Sequence, residues 1–105
     1  MGAFLERLVR ELELETDTAA ALAANFLRAT RADLRELQAA ARGGDAARLA
    51  SLAHHVKGAA ANLEVEPIRS RAETLERQAR AGDLAQAGPL LSGIEAELLR
   101  LEAEP

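Results

Sequence analysis

Apolar positions in this chain are filled almost wholly by Ala and Leu, and they recur at intervals of three and four residues. Leu22, Phe26, Thr30, Leu34, Leu37 and Ala41 trace one face of a long helix in this way. The chain holds three Val, two Ile and two Phe, with neither Trp nor Tyr. Strands draw on β-branched and aromatic side chains, whereas Ala, Leu, Glu, Arg and Gln are the strongest helix formers. The vocabulary argues against a β-rich or α/β fold.

Helix-breaking residues divide the 105 positions into five helical segments. The first spans about residues 3–14, with Phe4, Leu5, Leu8, Val9 and Leu12 on one face. Thr16, Asp17 and Thr18 offer N-cap chemistry to a second helix that runs to Arg42. Gly43-Gly44 stops it, and Asp45 caps a third helix whose inward side is Leu49, Leu52, Val56, Ala60 and Leu63. Pro67 suits the first turn of a fourth helix, with Ile68, Ala72, Leu75 and Ala79 inward. Gly82-Asp83 repeats the stop and cap before a fifth helix carrying Leu84, Leu91, Ile94, Leu98 and Leu101. Gly88-Pro89 falls inside that fifth pattern, which predicts a kink or restart near Gly88.

Short connections make consecutive helices antiparallel neighbours. The expected fold is all-α: an up-down-up-down antiparallel four-helix bundle over residues 17–102, in a single domain spanning 1–105. The short N-terminal helix, 3–14, packs across one end as a lid.

Zero Cys excludes disulfides and thiolate chemistry. The 17 acidic and 13 basic residues are mixed along the chain with no basic stripe, and aromatic stacking platforms are lacking, so nucleic acid is not an expected partner. No apolar run approaches the roughly 20 residues of a membrane span, and the N-terminus lacks signal-peptide character. A cytoplasmic location is the expectation. Ser51, Ser70 and Ser92 lack a nucleophile-elbow context, and no phosphate-cradling Gly-rich loop occurs. Glu73 and Arg77 are spaced as a surface ion pair.

The third helix is chemically odd. Between Arg48 and Glu64 its only side chain sure to be charged is Lys57. His54 points away from the inward direction, and its outer-face neighbours are Ala50, Ser51, Lys57 and Gly58, extended by Ala47 and Ala61. An imidazole thus stands in a clearing of small residues beside one ammonium. Gly58 costs about 1 kcal/mol relative to Ala in mid-helix, and the gain it suggests is access to the ring. The competing reading buries this face and makes His54 a hydrogen-bonded core histidine. A metal site is disfavoured, because His54 and His55 diverge by about 100° on a helix. His55 falls nearer the helix interface and reads as a boundary residue between core and surface.

The run Ala53-His54-His55-Val56-Lys57-Gly58-Ala59-Ala60-Ala61-Asn62-Leu63 resembles the motif of histidine-containing phosphotransfer (HPt) domains, A-H-x-[hydrophobic]-K-G-x-A-x-N-L-G, in all but the last position. The likeness extends over about Leu22 to Leu101. It implies His54 as phosphoacceptor, Lys57 as the cation beside the phosphoryl group and Gly58 as clearance. It further implies Glu76 as the polar contact from the next helix and Arg80 as a basic residue near the phosphate. Glu64 departs from the family's Gly.

The resemblance implies a phosphorelay intermediate of two-component signalling, exchanging phosphoryl groups with receiver-domain aspartates and in some pathways with a hybrid histidine kinase. Such a domain has no kinase or ATPase activity of its own. It carries no cofactor, since the Mg²⁺ belongs to the receiver, and is expected as a monomer. Ala47, Ala50, Ser51 and Ala61 would meet the partner. The alternative is a non-catalytic helical adaptor binding through the Ala-rich face around His54. A third option, the dimerisation module of a histidine kinase, needs two chains to complete four helices, whereas this chain supplies four.

Overall fold

The computed structural model describes residues 1–105 as five α-helices and no strands: α1 (Gly2–Glu11), α2 (Thr16–Arg42), α3 (Ala46–Asn62), α4 (Glu66–Arg80) and α5 (Ala87–Ala103). Helices α2 to α5 close a ring in which each packs on its two sequence neighbours and α2 meets α5, with the α3–α4 contact the most extensive. The α3–α4 groove therefore lies opposite the α2–α5 groove.

Three of the turns end their helices alike. The amide after each left-handed residue reaches back five residues: Asp45 to the Ala40 carbonyl, Val65 to that of Ala60 and Asp83 to that of Gln78. Gly44 and Gly82 adopt the left-handed backbone at two of them, but Glu64 does so at the third with φ of 56°. The Glu64 departure thus leaves the α3 terminus intact at a strain cost of about 1 kcal/mol. Asp45 caps α3 as expected, its carboxylate accepting from the Arg48 amide at 3.0 Å.

Several boundaries differ from the sequence expectation. Glu15, not Thr16–Thr18, occupies the N-cap of α2, with no side-chain cap, and Asp17 serves the first turn electrostatically. Helix α1 stops at Glu11, because Glu13 takes a left-handed φ of 53°. Helix α5 begins at Ala87, so Gly88 and Pro89 stand in its first turn, where a missing N–H costs nothing, and no interior kink arises. Leu84 belongs to the preceding turn, which the Asp83 carboxylate closes by accepting from the Ala85 amide at 3.0 Å.

At about 1.5 Å per residue, the 27 residues of α2 account for the long dimension of 42 Å. Its first half is matched by α1, which folds back against it: Phe4 meets Phe26 edge-on at 6.1 Å between centroids. Arg7 donates to the Leu63 carbonyl at 3.1 Å, tying α1 to the end where α3 turns into α4. The Phe4 amide donates to the Glu104 carboxylate at 2.6 Å.

Along α2 the buried side is Ala19, Ala23, Phe26, Leu27, Thr30, Leu34, Leu37 and Ala40, while Leu22 from the expected stripe is exposed. The mixing of charges also hides a row. Arg28, Arg31, Arg35 and Arg42 share one flank of α2 toward α5, whereas Asp33 and Glu36, which separate them in sequence, turn toward His55 and Arg48 of α3. The expected absence of a basic stripe is corrected by this geometry. No helix is long and apolar enough to cross a membrane.

Candidate functional site

Val56, Ala60 and Leu49 anchor α3 in the core, which turns His54 outward on the side of α4. Its side chain is 62% exposed, so it is not a core histidine. It is nonetheless held: Nδ1 lies 2.9 Å from Oε2 of Glu76. Leu75 and Ala79 seat α4 against the core and bring Glu76 to the α3 interface, where its side chain is only 6% exposed.

A carboxylate so enclosed needs charged partners. Glu76 has three: His54, the Lys57 ammonium at 2.7 Å from Oε1, and the Arg80 guanidinium at 2.5 Å from Oε2. The Lys57 hydrogen bond holds the Glu76 carboxyl below its ordinary value of 4.5. Burial opposes this, and the His54 hydrogen bond and Arg80 charge add to the lowering. An ionised carboxylate only accepts hydrogen bonds, so Nδ1 is the donor in this contact, and in the neutral ring the lone pair then lies on Nε2, on the outer side.

Gly58, one turn beyond His54, is exposed, and a Cβ built there meets nothing within 4 Å. No contact inside the protein requires glycine at this position. On the other side of His54, an open groove of about 620 Å³ runs between α3 and α4, with Ala46, Ala47, Ser51, Arg80 and Gly82 along it. Ala47, Ser51 and Ala61 are exposed, as their place on the outer strip predicts. Ala50 is not: it is buried and forms the groove floor with Ala79, because α4 packs closely over that side of α3.

The sequence reading missed Arg77. The expected Glu73–Arg77 pair does not form. Glu73 instead accepts from Arg69 at 2.9 Å, which leaves Arg77 without a carboxylate partner beside Lys57, Glu76 and Arg80 in a shallow depression. The signal was its place one residue after Glu76. His55, by contrast, faces α2: its Nε2 lies 3.4 Å from Oδ2 of Asp33. No cluster of His, Asp and Glu side chains is arranged to hold a metal ion.

The arrangement turns Nε2 of the His54 imidazole to solvent, next to an apolar groove and a cluster of cationic side chains, and in the neutral ring that nitrogen holds a lone pair. Such a nitrogen can attack an electrophilic centre, and the cations can neutralise an anionic group transferred to it. A comparison with protein families matches the Hpt domain over residues 21–104. Comparisons with curated proteins and with solved structures gave no match. The match covers α2 to α5 and thus both helices that build the site, and the chain belongs to the Hpt domain family, which takes part in two-component phosphorelays.

Proposed function

We propose that His54 is the phosphoacceptor of a relay, taking a phosphoryl group from a receiver-domain aspartate and passing it to another. The observation that carries this reading is the Glu76 hydrogen bond to Nδ1, which leaves Nε2 basic and outward. The Nε2 lone pair forms a bond to phosphorus while the bond from phosphorus to the aspartyl oxygen breaks, and the aspartate leaves with that electron pair. No proton need depart, since Nε2 carried none. The ring becomes a phosphoimidazolium whose positive charge is balanced by Glu76. Reversal of the same steps delivers the group onward.

Lys57 and Arg80 lie close enough to Glu76 to exchange one anion for another as the phosphoryl group arrives. Phosphoryl transfer depends chiefly on positioning and charge neutralisation, so this chain's residues orient the nucleophile and screen the product. A receiver's divalent cation supplies the remaining neutralisation from the partner's side. The groove over Ala50 and Ala79, flanked by Ala47 and Ser51, and the open surface at Gly58 and Ala61 give the receiver its docking surface. The domain acts as a monomer in the cytoplasm and draws its phosphoryl group from receivers or a hybrid kinase, with no ATP chemistry of its own.

The test is incubation of the full chain with phosphorylated receivers, followed by assay for acid-labile, base-stable phosphate. Labelling that disappears in His54→Gln and persists in His55→Gln is the expected result. Absence of label with every receiver tried overturns the relay in favour of an adaptor that docks partners through the same apolar groove.

A further inference from the structure

The face opposite His54 has an unusual surplus of free positive charge. Arg28, Arg31 and Arg35 border one groove of the α2–α5 flank, and Arg42 borders the next one along it. Of the four, only Arg31 has a carboxylate partner, Glu102. Arg28 donates to Asn25, and Arg35 and Arg42 make no side-chain hydrogen bond or ion pair. In a chain with 17 acidic and 13 basic residues, carboxylates to neutralise them are not scarce. The row runs from position 28 to 42, about 21 Å or four helical turns.

A second observation lies on the same flank. Leu99, 54% exposed, is the most exposed large apolar side chain of the protein. It stands four residues after Glu95 and three before Glu102, the two α5 side chains that face the arginine row. Leu27 and Leu91 lie beneath the two grooves. Guanidinium groups along one side of a groove, with an exposed apolar side chain on the helix across it, are the composition of a protein interface. The two glutamates on the flank, and the lack of any aromatic side chain there, fit a nucleic acid poorly.

We propose that the α2–α5 face docks an acidic amphipathic helix of a partner protein, its apolar side on Leu99 and the groove floor and its carboxylates on Arg28, Arg35 and Arg42. A groove between two antiparallel helices accepts a third helix laid along it. Because this face is opposite the α3–α4 groove, such a helix and a receiver at His54 bind together, which would tether the domain while it exchanges phosphoryl groups. The proposal stands independently of the chemistry at His54.

The experiment is a titration of the isotope-labelled full chain with a synthetic helical peptide of about four turns, with Leu along one side and Glu flanking it. A matched peptide with Lys for Glu, a DNA oligonucleotide and vesicles of anionic phosphatidylglycerol are run in parallel. The expected result is amide shifts confined to residues 24–42 and 88–102 with the acidic peptide alone, weakening as salt rises. Arg35→Glu combined with Arg42→Glu should weaken binding about tenfold or more and Leu99→Ser several-fold. Phosphoryl acceptance at His54 should stay unchanged in each variant. Arg35→Gln with Arg42→Gln gives a milder pair should charge reversal disturb folding. Equal binding of the Lys peptide, shifts at the α3–α4 face, or binding of only DNA or vesicles overturns the proposal. So does self-association of the chain that outcompetes the peptide.

Discussion

His54 and His55 are neighbours of one residue type, similarly exposed at 62% and 67%, yet the bundle gives them opposite surroundings. His54 turns to α4 and engages through Nδ1 a buried carboxylate already clamped by Lys57 and Arg80. His55 turns to α2 and approaches Asp33 through Nε2 at 3.4 Å, too long for a well-formed hydrogen bond. The carboxylates differ as well. Glu76 is held below its ordinary range by the Lys57 hydrogen bond, whereas burial raises Asp33 above 3.8, with His55 opposing and Glu36 adding to the rise. Exposure therefore does not distinguish the two rings. What distinguishes His54 is a partner of firmly negative charge on the nitrogen that faces inward.

The sharpest test of that contrast exchanges each ring for an amide. His54→Gln is expected to remove all acid-labile labelling while circular dichroism stays helical, and His55→Gln to keep labelling near the parent level. The reverse pattern would break the comparison outright. Next in size are Gly58→Glu and Ala61→Arg, which place bulk or charge on the open side of His54 alone. Receiver binding and transfer should fall steeply, with stability near the parent's for Ala61→Arg and unchanged or raised by up to about 1 kcal/mol for Gly58→Glu, since both sites are on the surface and Gly is the poorer helix former. Unfolding of either variant would show that this side of α3 is packed rather than free.

Glu76→Gln keeps the shape and removes the charge on which the His54 environment depends. A charge-assisted hydrogen bond contributes about 1.5–3 kcal/mol, so phosphoryl acceptance should slow by roughly 10- to 100-fold. Stability should drop too, and its pH dependence carries the sign. A carboxyl whose folded pKa is depressed stabilises the fold above its unfolded value near 4.5 and loses that contribution as pH falls through the lower folded value. Denaturant titrations at neutral pH should separate parent from Glu76→Gln, and the gap should narrow progressively as pH falls below 4.5. A gap that persists in acid would mean that Glu76 acts through packing and not charge.

Lys57→Ala should have a smaller effect. Its ammonium is partly exposed, and such a contact is worth on the order of 1 kcal/mol, which predicts transfer slowed about five- to tenfold. Complete loss of transfer in a folded protein would assign Lys57 more than screening. Smallest is Asp33→Asn on the other flank. Because the folded pKa of Asp33 is raised, its ionised form carries a stability cost above that value. Removing the charge should leave neutral-pH stability unchanged or raised, within about 0.5 kcal/mol, with transfer unaffected. A marked loss in either would make the His55–Asp33 contact more than a boundary pairing.

Much of this was legible in the residues. The five helices, the stops at Gly44 and Gly82, the Asp45 cap and the outward direction of His54 follow from periodicity and turn chemistry. The start of α5 did not, because Pro89 is compatible with a first turn as well as with a kink, and only packing at Ala87 chose between them. The burial of Ala50 was hidden for a similar reason. An alanine has no polarity to declare its side, and how closely α4 approaches α3 decides whether it is floor or rim.

The amino-acid sequence by itself determined the helical class, the order of the elements and the outward direction of His54. Each of these is set within a few residues by φ/ψ preference and a 3.6-residue repeat. Only the tertiary structure decided that Glu76 would reach Nδ1, that Arg80 and Lys57 would share it and that Glu73 would take Arg69 and leave Arg77 free. It also left Arg35 and Arg42, which the helical repeat puts on one face of α2, without carboxylate partners while Asp33 and Glu36 turned to α3. Charges interact through space, and a helix sends residues that are adjacent in the chain to different neighbours. The partner of a charged group is therefore fixed by the helix it faces, not by the residue beside it.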